Sequence, residues 1–139
     1  MYNRFLFTFF LSLFLLSCNF STSQNFNSSQ TKILFDEFNR ESQTPFSYKT
    51  LENFLKDIKI EDLKKGKPFE KEVLFESFDC EFRDLMKISC DKTFKTFILN
   101  VNETSFVKDL DWCPEHSYIG SFKIREDKIV NAEFKLIDG

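Results

Sequence analysis

HSYIGSFKIREDKIVNAEFKLIDG, residues His116 to Gly139, decides the fold. Tyr118, Gly120, Phe122 and Ile124 alternate with Ile119, Ser121, Lys123 and Arg125, the period of two that an extended strand turns into two faces. Glu126 and Asp127 form the turn. Val130, Ala132, Phe134 and Leu136 then share the apolar face of a returning strand. A chain that ends in such a hairpin carries an antiparallel sheet, and the segments before it say how large.

KEVLFESFDCEF (Lys71–Phe82) alternates loosely, with Val73 and Phe75 on one side and Leu74, Glu76 and Phe78 on the other. DLMKISCD (Asp84–Asp91) follows. KTFKTFILNVNE (Lys92–Glu103) then sets Phe94, Thr96, Ile98 and Asn100 opposite Phe97, Leu99 and Val101. Before Phe69 the period is that of a helix. TKILFDEFNRES from Thr31 places Ile33, Leu34 and Phe38 near one face, with Phe35 more lateral. TLENFLKDIKIEDLKK from Thr50 gives Leu51, Phe54, Leu55 and Ile58, the i, i+3, i+4, i+7 set, and Gly66 and Pro68 stop it. Two helices followed by four or five strands, with no helical crossover, predict an α+β fold. Two N-terminal helices pack on one face of a four- to five-stranded antiparallel sheet that ends in a β-hairpin.

The N-terminus has a different character. Arg4 is the one charge ahead of FLFTFFLSLFLL (Phe5–Leu16), an apolar run too short for a membrane span of about 20 residues and suited to the core of an export signal. It ends in Leu15-Leu16-Ser17-Cys18, which resembles the lipobox of bacterial lipoproteins: an aliphatic residue, a tolerant position, a small residue, then cysteine. The resemblance implies a diacylglyceryl thioether on Cys18, cleavage before it, and acylation of the new amine. The partner it implies is the membrane. Asn19 rather than Asp after the cysteine implies the outer membrane, where sorting rules resemble those of enteric bacteria. The expected organisation is a signal peptide over 1–17, a lipidated Cys18 with a flexible polar tether through residue 30, and a single domain over 31–139.

The whole chain carries a formal charge of −3 with no basic block, so nucleic acid is not an expected partner. One histidine and three glycines leave no phosphate-cradling loop and no His-rich metal set. No catalytic residue, metal or cofactor is expected. Fifteen of the twenty phenylalanines follow the signal segment; at helix and strand periods they read as core, the alternative being an aromatic cavity for an apolar ligand. With Cys18 assigned to lipid, Cys80, Cys90 and Cys113 remain. Export favours disulfides, and Cys80–Cys90 is the expected pair, with Cys113 bonded to either as the alternative.

Trp112-Cys113-Pro114-Glu115-His116 resembles the thioredoxin-type WCxxC sequence, with His116 at the second cysteine's place. The hairpin that follows leaves no room for that fold. A thiol-dependent role for Cys113 stands as a further alternative. The stretch Asp109–Tyr118 is otherwise expected to be a surface connection offering Trp112, Cys113, His116 and Tyr118 for contact with a protein partner. The sequence thus predicts a lipid-anchored envelope protein that acts by binding, without catalysis.

Overall fold

The computed structural model describes residues 24–41, 44–73, 84–93, 95–104 and 115–138. The chain is α+β. Among the described residues, three helices, α1 (Ser28–Glu41), α2 (Tyr48–Leu55) and α3 (Ile60–Lys64), precede five strands: β1 (Phe69–Val73), β2 (Asp84–Cys90), β3 (Phe97–Thr104), β4 (Glu115–Arg125) and β5 (Lys128–Asp138). The strands form one antiparallel sheet in sequence order, so β1 and β5 are its edges. No described helix is long and apolar enough to cross a membrane.

One face of the sheet is apolar because register and alternation agree. Ile88 lies opposite Phe69 and Leu99, and Leu99 lies opposite Gly120, which pairs with Phe134. The flanking row carries Met86, Val101 and Tyr118. Met86, Ile88, Phe97, Leu99, Val101 and Phe122 are all buried. The helices cover this face, with α1 on β5, α3 on β2, and α2 against α1 and β1. Leu34 and Phe38 of α1 and Leu51, Phe54 and Leu55 of α2 point inward. Ile33 is turned aside and exposed, since neighbouring helix positions differ by about 100°.

The folded region begins earlier than Thr31. Phe26, expected in the tether, is buried and packs edge-on against Phe97 and Phe122. Asn25 bridges to Lys59, and the Ile60 amide donates to the Gln24 carbonyl at 3.1 Å. Asn27 and Gln30 form a reciprocal capping box. The Gln30 amide donates to Asn27 Oδ1 at 2.8 Å, and the Asn27 amide donates to Gln30 Oε1 at 3.0 Å. Polar residues that read as tether are therefore the cap of α1.

The second expected helix is two helices. Ser47 caps α2, its Oγ accepting from the Thr50 amide at 3.2 Å. The bridge to Asn25 holds Lys59 extended, so Ile58 and Ile60 are both buried on either side of it and the helix restarts as α3. Gly66, at φ 80°, ends α3. Its amide donates to the Leu63 carbonyl and that of Lys67 to Asp62, the Schellman pair.

The terminal hairpin turns at Glu126 and Asp127, both at positive φ (49° and 63°), the sense of twist that a two-residue loop needs. The inward residues of β5 are Ile129, Ala132 and Phe134 in place of an unbroken Val130 to Leu136 series. A bulge at Asn131, φ 53°, adds one residue and shifts the alternation. Leu136 and Ile137 end up exposed, at 52% and 57%.

Candidate functional site

The apolar face gives way to polar side chains at one end of the sheet. Val73 lies opposite Asp84, and Glu103 lies opposite His116. Asp84 and Glu103 stand one step beyond the Leu85–Asn102 pair, so the row Val73, Asp84, Glu103, His116 crosses four strands on the core-facing side. Tyr118 belongs to the next row, opposite Val101. Its ring stacks on Phe134 with centroids 5.4 Å apart, and its hydroxyl donates to Glu103 Oε2 at 3.3 Å.

This placement costs stability. Asp84 is buried and Glu103 is half-buried. Withdrawal from water pushes the Glu103 carboxyl above its ordinary range, and the Asp84 charge pushes the same way. The Tyr118 hydroxyl and His116 oppose the shift. Burial likewise raises the Tyr118 phenol, and the Glu103 charge adds to it. His116 Nδ1 is buried and has no hydrogen-bond partner among the described residues.

Of the residues expected to make contact, His116 and Tyr118 are on β4 and not in a loop, because the strand begins at Glu115. Trp112 and Cys113 lie outside the described residues, as do Cys18 and Cys80. Ser117 follows His116 but points to the other face, where its hydroxyl bonds Asn102 Oδ1 at 3.2 Å. The two neighbours therefore do not work as a pair. Among the described residues, no group of three or more His, Cys, Asp or Glu side chains is placed to hold a metal ion.

Cys90, expected to pair with Cys80, is half-buried and a free thiol among the described residues, outside which Cys80 and Cys113 lie. Burial and the Asp91 charge raise the thiol above its ordinary range, outweighing Lys64 and a backbone hydrogen bond, so Cys90 is a poor nucleophile near neutral pH.

The buried phenylalanines pack on one another. Phe97 stacks on Phe122 at 5.3 Å, Phe38 meets Phe134 at 5.1 Å, and Phe46 meets Phe134 edge-on at 5.7 Å. An open groove of about 700 Å³ lies between α1 and β5, an edge strand among the described residues, and the core residues Ile129, Ala132 and Phe134 help to line it.

Asp84 and Glu103 were missed in the sequence. Their signal was parity: Glu103 continues the Phe97, Leu99, Val101 side of β3, and Asp84 continues the Met86, Ile88 side of β2. Comparison with protein-family models, with curated proteins and with solved structures returns no match.

Proposed function

We propose that the chain is a lipid-anchored protein of the bacterial envelope that acts by binding a protein partner, with the sheet end bearing Glu103, His116 and Tyr118 as its contact surface. The anchor is Cys18, and the membrane is the outer one. The observation that supports the contact surface is the polar row itself. A carboxylate, an imidazole and a phenol stand on the core-facing side, where withdrawal of the Glu103 charge from water lowers stability. Groups kept at such a cost are characteristic of sites that serve recognition. Their mixture of donors and acceptors suits a polar segment of another protein better than an apolar ligand, and the filled aromatic core argues the same way.

Crosslinking in intact cells, followed by pull-down, tests the reading. Tyr118→Phe keeps the ring stacked on Phe134 and removes the hydroxyl, and Glu103→Gln removes the charge. Both variants should fold and lose the crosslinked partner about tenfold, the loss of one good polar contact. A partner captured equally by both variants moves the contact surface elsewhere. Mass spectrometry of the mature N-terminus tests the anchor: an unmodified terminus at a residue other than Cys18 removes it.

A further inference from the structure

The two sheet edges are unlike. The described β1 is five residues long and presents Glu70, Lys71 and Glu72, a short charged edge of the kind that resists pairing. β5 is eleven residues long and lies along an open groove whose other wall is the Ile33, Glu37, Arg40 stripe of α1. The exposed large apolar residues of the described chain are Ile33, Leu136 and Ile137, and all three flank this edge. Bulges near Asn131 and Ile137 leave one regular stretch between them, Ala132 to Leu136.

That stretch reads AEFKL, and it is self-complementary when antiparallel. Two copies related by a two-fold axis at Phe134 place Glu133 of each opposite Lys135 of the other, on the open face of the sheet. On the core-facing side the same register sets Ala132 opposite Leu136 and Phe134 opposite its own copy. Leu136, half exposed in the single chain, then enters the groove beside Ile33. The helices agree with the axis. Phe38 lies over Phe134, so two α1 helices cross antiparallel at the level of Phe38 and bring Glu37 of one toward Arg40 of the other. A shift of one residue would put the Leu136 side chain on the open face and oppose residues of unlike character.

We propose that β5 pairs with the β5 of a second copy about Phe134, making a continuous ten-stranded sheet across an isologous dimer. This edge adjoins the Glu103–His116 end of the core face, since Leu136 lies opposite Tyr118 and Phe134 stacks on its ring, but the proposal does not depend on the partner-binding reading. A second copy is the occupant favoured over a foreign strand because one short segment supplies both members of every pair.

The test is a charge swap, read by sedimentation of the full chain purified in detergent under reducing conditions, which excludes intermolecular disulfides. The unaltered chain is expected to be a dimer. Glu133→Lys or Lys135→Glu alone sets like charges opposite each other twice and is expected to raise the dissociation constant at least about tenfold. The double variant Glu133→Lys with Lys135→Glu restores both pairs in reversed sense and is expected to return the constant to within about threefold of the original. Both side chains are exposed or rim groups, and circular dichroism confirms that each variant is folded. A monomeric chain, a dimer indifferent to the single reversals, or single variants that the swap does not rescue would overturn the proposal. So would β5 amides that gain hydrogen-exchange protection only when other envelope proteins are added.

Discussion

Gly120 shows how much of the core turns on one missing methyl group. A Cβ built there would stand 3.0 Å from Phe38 Cζ and 3.1 Å from Phe134 Cδ2. Those rings are held by one another and by Phe122, so neither can withdraw freely. Gly120→Ala should therefore destabilise by about 1–3 kcal/mol, measured by urea unfolding, although the same change in an open strand would be mildly favourable. Glu103 is the opposite case, a residue whose removal helps. Its folded pKa lies above its unfolded value, so the folded state holds the proton more tightly. The penalty is full at neutral pH, where the carboxylate is charged. It declines as pH falls through the raised folded value and is gone below the ordinary value of 4.5. Glu103→Gln should thus raise the melting temperature at pH 7 and lose that advantage in acid. The gain is at most about 1 kcal/mol, because the group is only half-buried and water screens it. An advantage that persists unchanged at pH 3 would assign the effect to packing.

At the scale of elements, Gln30 joins the start of α1 to the far end of the sheet. Its amide and Oε1 close the capping box with Asn27, and its Nε2 donates to the Asp127 carbonyl in the hairpin turn at 2.9 Å. Gln30→Ala should lose about 2–3 kcal/mol, the sum of a cap and a desolvated hydrogen bond, with the midpoint of urea unfolding as the measure. Asp127→Gly keeps that carbonyl and relieves a positive φ, so it should gain up to about 1 kcal/mol by the same measure. These two positions also mark where the sequence could be read and where it could not. The hairpin, its turn, the apolar faces of β2 and β3, and the Gly66 stop follow from local periodicity. Local patterns say nothing of partners distant in sequence. NSSQ reads as solvated until the Asp127 carbonyl is placed beside it, and the break at Lys59 appears only once Asn25 lies alongside. Tyr118 and His116 were legible as candidates by residue type. Their neighbours Asp84 and Glu103 were not, because three strands must be brought into register before the row exists.

At the scale of the whole molecule, the early start of the domain shortens the lead to the anchor proposed at Cys18. With Gln24 to Gln30 packed on the fold, six steps separate Cys18 from Gln24, at most about 20 Å of extended chain. Under the proposed anchor at Cys18, a domain on so short a lead would stay close to the headgroups, and two anchors on a β5 dimer would hold it there more firmly than one. The same segment is part of the core. Phe26 meets Phe97 and Phe122, the Asn25 side chain donates to the Lys56 carbonyl at 3.0 Å, and Gln24 receives the Ile60 amide. Loss of a buried Phe side chain alone costs about 3–5 kcal/mol, and loss of the cap adds about 1. Domains of this size are stable by roughly 5–15 kcal/mol. A chain shortened to begin at Gln24 should therefore melt as the longer one does. One beginning at Thr31 should lose most of its stability, with a melting temperature lower by at least about 15 °C or no cooperative transition at all. Thermal unfolding followed by circular dichroism on the pair checks this. Equal melting temperatures would return residues 24–30 to the tether and detach the capping box from the stability of the fold.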